Sequence, residues 1–198
     1  KLTVTNPDFV QKVNFIGTEF IGTDISIENP NLDQYDNGVF YDTGSAFDVD
    51  SVSVDKYKTS FTDSNFRLKK LSVNTNEVLT LSGSRLYFTR GDVNIECNGS
   101  LSGNITTLPS NNDTRLNVVI NDKTKHLSTN PLAITGSLFS PIFDVTTNVP
   151  IKFTFDMFSN PKIYASYTKE FDSQQKSTLT FKYYPEVTHT VITNGAKY

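Results

Sequence analysis

Apolar and polar residues alternate one by one along much of this chain, and that period of two limits the fold more than any other feature. In Ile151–Met157, Ile, Phe, Phe and Met occupy one phase and Lys, Thr and Asp the other. Successive side chains of a strand point to opposite faces, so such a run is a strand with one face buried and one in water. The pattern recurs in Thr23–Glu28, Ser45–Val49, Ser51–Val54, Leu86–Thr89, Val93–Cys97, Arg115–Ile120, Ile163–Tyr167, Thr178–Tyr184 and Val187–Val191. Between Val49 and Val52 the phase reverses, which places a bulge or tight turn at Asp50-Ser51. A second reversal falls between Leu68 and Leu71, around Lys69-Lys70.

Asn-Pro at positions 6, 29, 130 and 160, and Asn-Gly at positions 37, 98 and 194, punctuate these runs. Pro fixes φ and removes a donor, while Gly supplies positive φ, so both pairs are turn chemistry. No helical stripe is present, and Thr168–Lys176 is the one candidate for a short helix. Short strands separated by frequent turns predict an all-β, antiparallel β-sandwich or jelly-roll-like module of roughly ten to fourteen strands. No repeat of fixed period is visible. The expected organisation is a single domain over 1–198; the alternative is two small β subdomains, 1–107 and 113–198, split at the loop-like Leu108-Pro109-Ser110-Asn111-Asn112-Asp113.

Ser, Thr and Asn together make up nearly a third of the 198 residues, which by itself reads as low complexity. The 15 Phe and 9 Tyr argue instead for a packed core. The net charge of −3 lacks the basic excess a general nucleic-acid binder needs, so nucleic acid is not an expected partner. Eight acidic residues and no Lys or Arg lie between Asp24 and Asp55, a stretch that reads as a solvated acidic face. Nowhere does the chain approach the roughly 20 consecutive apolar residues of a membrane helix. No leader pattern is visible, and the sequence opens at Lys1. Cys97 is the only cysteine and shares the phase of Val93 and Ile95, which suits a small buried side chain.

Among motifs, Phe40-Tyr41-Asp42-Thr43-Gly44-Ser45 resembles the signature of aspartic proteases, in which a strand delivers an Asp to a tight turn. The resemblance implies a catalytic carboxyl at Asp42, with Thr43 and Gly44 as its turn. Those enzymes need two such carboxyls sharing a proton, and the nearest second copy, Ile134-Thr135-Gly136-Ser137, has Ile in place of Asp. Arg90-Gly91-Asp92 lies between two strand-like runs, which predicts a hairpin tip, and it resembles exposed integrin-binding loops. Oxygen donors gather in Asn31–Gly38, with Asp48 and Asp50 downstream, but without EF-hand spacing. His126 and His189 with one Cys do not make an ordinary zinc site. Asn98, Asn104 and Asn112 begin glycosylation sequons, at a frequency this composition produces by chance. Tyr164, Tyr167, Tyr183 and Tyr184 offer rings to a sugar, without a localised site.

These features predict no enzyme, no cofactor, no metal and no membrane insertion. The expected function is that of a structural or attachment protein of a virus or bacteriophage: a capsid, decoration, fibre or tail module in a virion or at a cell surface. It would work by self-assembly with its own copies or other surface proteins, and by recognising a host receptor or glycan. A bacterial adhesin, pilin-like subunit or carbohydrate-binding module is the alternative, and an aspartic protease the second. Arg90, Gly91 and Asp92 are the candidate binding residues.

Overall fold

The computed structural model describes residues 1–5, 12–28, 38–75, 78–108, 114–121, 132–136, 142–148, 152–157, 162–167, 178–183 and 190–194. Its strands are β1 (Leu2–Thr5), β2 (Lys12–Ile16), β3 (Glu19–Ile21), β4 (Asp24–Glu28), β5 (Val39–Thr43), β6 (Ala46–Asp48) and β7 (Ser51–Asp55). There follow β8 (Lys58–Thr62), β9 (Asn65–Arg67), β10 (Lys70–Asn74), β11 (Val78–Tyr87), β12 (Val93–Cys97), β13 (Ser100–Leu108) and β14 (Arg115–Ile120). The last are β15 (Leu132–Gly136), β16 (Ile142–Thr147), β17 (Lys152–Met157), β18 (Lys162–Tyr167), β19 (Thr178–Tyr183) and β20 (Thr190–Asn194).

The chain winds as a parallel β-solenoid, with no helix among the described residues. One sheet has the order β1-β4-β7-β10-β12-β14-β16-β18-β20; the other runs β2-β5-β8-β11-β13-β15-β17-β19, with β3-β6-β9 continuing onto β11. Every strand pairing in both sheets is parallel. This overturns the antiparallel β-sandwich and the jelly roll, and the 20 described strands exceed the expected number. The alternation itself is real: β7 and β10 bury every second residue. Most parallel sheets are covered on both faces and read as continuous apolar runs. A solenoid wets one face of each sheet, so its sequence mimics an antiparallel one. Pairing runs across positions 107–113, joining β12 to β14 and β13 to β15.

Circuits differ in length, which hides the repeat. Ile25, Val52, Leu71, Ile95, Val118 and Val145 stack in one inward column, at intervals of 27, 19, 24, 23 and 27 residues. A second column holds Ile27, Val54, Val73, Cys97, Ile120 and Thr147. Both columns are buried throughout. From the other sheet Phe20, Phe47 and Phe66 stack face to face, at centroid distances of 5.2 and 5.4 Å, and Phe61 meets Phe47 and Phe66 edge-on. Burying each such side chain contributes about 2 kcal/mol.

Corners explain the phase reversals. Val49 and Leu68 point inward, and the next inward residues are Val52 and Leu71 on the opposite sheet. The amides of Asp50 and Ser51 both donate to the Thr23 carbonyl, and those of Lys69 and Lys70 both donate to that of Asp50. Asp50-Ser51 is therefore a turn between sheets. A different corner breaks the second sheet into β2/β3, β5/β6 and β8/β9. There Gly17, Gly44 and Asp63 lie one above another, at φ of 55°, 72° and 53°.

At the fourth circuit β11 runs through this corner, and its register with β13 shifts between Leu81 and Ser84. Gly103 lies opposite Leu81 at φ 112°. A Cβ there would run into the Leu81 carbonyl group, which is backbone and has no other rotamer to adopt. Gly103→Ala is expected to lower unfolding stability by about 2 kcal/mol or more, read as a fall in the thermal or urea midpoint. An unchanged midpoint would show that the two strands do not approach this closely.

Candidate functional site

The sharpest catalytic motif turns out to be a corner. Asp42 ends an inward phase, Thr43 faces out, Gly44 supplies the positive φ, and Ser45 turns back into the core. Neighbouring circuits repeat the geometry with Thr62-Asp63-Ser64 and Ser82-Gly83-Ser84. Ser45, Ser64 and Ser84 are all fully buried. Their hydroxyls knit the circuits: Ser45 Oγ accepts from the Thr18 amide at 3.1 Å, and Ser84 Oγ donates to the Phe61 carbonyl at 3.3 Å.

Asp42 sits in the same column as Phe15 and Phe61, 1% exposed. The Ser64 hydroxyl lies 2.5 Å from its Oδ2, while Oδ1 has no hydrogen bond among the described residues. Burial pushes the Asp42 carboxyl above its ordinary value, against the opposing pull of hydrogen bonds from Ser45 and Ser64. A carboxyl so enclosed presents nothing to a peptide, and no second carboxyl is among the groups that perturb it. Its surroundings favour the neutral form over the charged one relative to water.

Arg90-Gly91-Asp92 is also a corner. The strands before and after it, β11 and β12, belong to different sheets, so no hairpin forms. Gly91 has φ 94°, and its amide donates to the Phe88 carbonyl. Arg90 reaches back across the stack: Nε and Nη2 donate to Asp48 Oδ1 at 2.9 and 2.6 Å, Nη2 to the Asp48 carbonyl, and Nη1 to Asp50 Oδ1 at 3.2 Å. Lys69, from the circuit between, adds a 3.0 Å ion pair to Asp50. Its hydrogen bond comes first among the influences that hold the Asp50 carboxyl below its ordinary value, and the Arg90 charge adds to it. Asp92 Oδ1 accepts from the Arg115 amide at 2.8 Å, which joins it to the next circuit. Arg90 is thus turned onto its own fold, while Asp92 is exposed.

The remaining candidates separate. Asp48 pairs with Arg90, and Asp50 with Arg90 and Lys69; of Asn31–Gly38 only Gly38 is described. Among the described residues no group of three or more His, Cys, Asp or Glu is placed to hold a metal. His126, His189, Asn112 and Tyr184 lie outside the described residues, as does Thr168–Lys176. Cys97 is buried and its thiol donates to the Gly99 carbonyl. The described residues of the acidic stretch divide between the outer face of the first sheet (Asp24, Glu28, Asp55), a corner (Asp48, Asp50) and the core (Asp42). Asn98 donates from Nδ2 to Asn74 Oδ1 at 3.0 Å, and Asn74 in turn donates to Asp55. Asn104 Oδ1 accepts from the Gly83 amide at 2.7 Å. These amides continue the backbone ladders sideways, as stacked Asn side chains do wherever strands repeat in register.

Comparison with protein-family models, with curated proteins and with solved structures finds no match to this chain.

A raised carboxyl pKa has a definite sign. Between the ordinary value of 3.8 and the higher folded value, the native chain holds a proton the unfolded chain has lost. The contribution of Asp42 is complete below that window and is lost as pH rises through it. Asp42→Asn removes the titration, so the variant is expected to gain stability relative to the parent as pH rises through that window. Parallel melts of the two proteins should show a gap in midpoint that widens from pH 4 towards neutrality. A gap that does not vary with pH would mean that Asp42 is not a buried, proton-holding group.

Proposed function

We propose that this chain is a non-enzymatic structural or attachment module of a virus or bacteriophage, of the fibre, tail, decoration or capsid kind, acting at the virion surface by self-assembly and recognition. One observation carries the reading. Among the described residues the first circuit, β1 with β2 and β3, is paired on one side only, which leaves its outer edge open to a further strand. Ile16 and Ile21 on that circuit are 69% and 76% exposed. Val4, Val13, Phe15 and Phe20 only partly cover the core beneath. A layer of this kind is stable when another strand-bearing layer stacks on it; in the proposed assembly a copy of the chain or an adjoining surface protein supplies that layer. The stacking direction would make the assembly a rod.

A bacterial adhesin or pilin-like subunit is supported by the same edge and differs in the surface on which it is displayed. The buried position of Asp42 gives the protease reading no comparable support.

Size-exclusion chromatography with light scattering is expected to show association that strengthens with concentration. Ile16→Glu with Ile21→Glu places charge on the edge without touching the core and should return the protein to a monomer. A protein that stays monomeric at high concentration, with no response to the double substitution, would contradict assembly through this edge.

A further inference from the structure

Carboxylates are spread unevenly over the outer faces; among the described side chains of the second sheet they lie on β3 and β6, at Glu19 and Asp48. The first sheet carries carboxylates outward at Asp24, Glu28, Asp55, Glu96 and Asp144, of which Glu96 pairs with Lys70 and Asp144 with Arg115. The outward residues of β2, β5, β8 and the first half of β11 include no Asp or Glu, in a chain where acids outnumber bases 21 to 18. Along the stacking direction one outward column of that face reads Lys12, Val39, Lys58, and Val78 continues it on β11. Neither lysine forms an ion pair with the described residues.

Parallel strands stack about 4.8 Å apart, so Lys12 and Lys58, two steps apart, are separated by about 9.6 Å along the axis. One step is close to the length of a hexose in an extended chain, and two steps to that of a disaccharide. The neighbouring column places Tyr41, 39% exposed, between Asn14 and Ser60. The Lys12 ammonium lies 5.5 Å from the centre of the Tyr41 ring. A third column adds the outward hydroxyls of Thr43 and Thr62. An exposed aromatic ring stacks on a sugar face, and hydroxyls beside it exchange hydrogen bonds with sugar hydroxyls.

We propose that this face binds a linear anionic polysaccharide in which charged and uncharged sugars alternate, laid along the solenoid axis. The charged sugars face Lys12 and Lys58, and the uncharged sugar between them faces Val39 and the Tyr41 ring. The site does not depend on whether copies of the chain assemble.

The test is retention of the full chain on immobilised hyaluronan, an alternating uronate copolymer, at low salt. Polygalacturonate, dextran and duplex DNA serve as comparators. Hyaluronan is expected to bind best, with affinity falling as salt rises. Lys12→Glu with Lys58→Glu should weaken binding at least tenfold, and Tyr41→Ala several-fold. Lys70→Ser on the opposite sheet should change nothing. Circular dichroism checks that each variant remains folded; Lys12, Tyr41 and Lys58 are exposed and Lys70 is half-buried. No retention overturns the proposal, as does a polygalacturonate or DNA complex of equal strength, or equal loss with Lys70→Ser. Light scattering reads self-association separately, so failure here and failure of assembly are distinct results.

Discussion

In-register stacking of like on like is the interaction on which the rest of this structure depends. Each inward side chain rests on its counterpart one circuit away: Val52 on Leu71, Leu71 on Ile95, Ile95 on Val118. No circuit buries its own apolar face, because each is one layer thick; burial comes only from neighbours. The same register aligns Phe47 with Phe66, brings Asn98 onto Asn74, and sets Ser45 beneath Ser64. Hydrogen bonds, ring stacking and apolar contact all propagate in one direction, and an error at one level displaces the others.

That constraint accounts for the placement of polar groups inside. A column shared by Phe15, Asp42 and Phe61 has no counter-charge to offer a carboxylate; the Ser64 hydroxyl bonds the acid, and burial raises its pKa. At the corners, stacking brings Asp48, Asp50, Lys69 and Arg90 together from three successive circuits, and opposite charges meet across the layers. The Arg90 of the Arg-Gly-Asp triplet is one arm of this clamp between layers.

Much of the fold was legible in the sequence. Val93–Cys97 and Arg115–Ile120 are strands with those bounds, and the phase reversals at Asp50-Ser51 and Lys69-Lys70 are the corners between sheets. Pairing direction was not legible, because a half-wetted parallel strand and a half-wetted antiparallel strand alternate in the same way. Circuits of 19 to 27 residues blurred any fixed period. A local signal did exist: Ile16-Gly17-Thr18, Thr43-Gly44-Ser45, Thr62-Asp63-Ser64 and Ser82-Gly83-Ser84 each follow Phe, Asp, Phe or Leu and precede by one residue Phe20, Phe47, Phe66 or Leu86. Taken alone, the second of these resembled a protease turn; taken as a set, they mark one corner of a solenoid. The candidate sugar face was invisible for a related reason. Lys12, Val39, Tyr41 and Lys58 become neighbours only when pairing is known.

The central claim is parallel, in-register pairing, and a backbone nuclear Overhauser map tests it most directly. Contacts should pair Val52 with Leu71, Val54 with Val73, Leu71 with Ile95 and Val73 with Cys97, both residue numbers rising together. Pairs whose numbers run in opposite senses, with the strong α-proton to α-proton contacts of antiparallel strands, would contradict the solenoid and everything built on it.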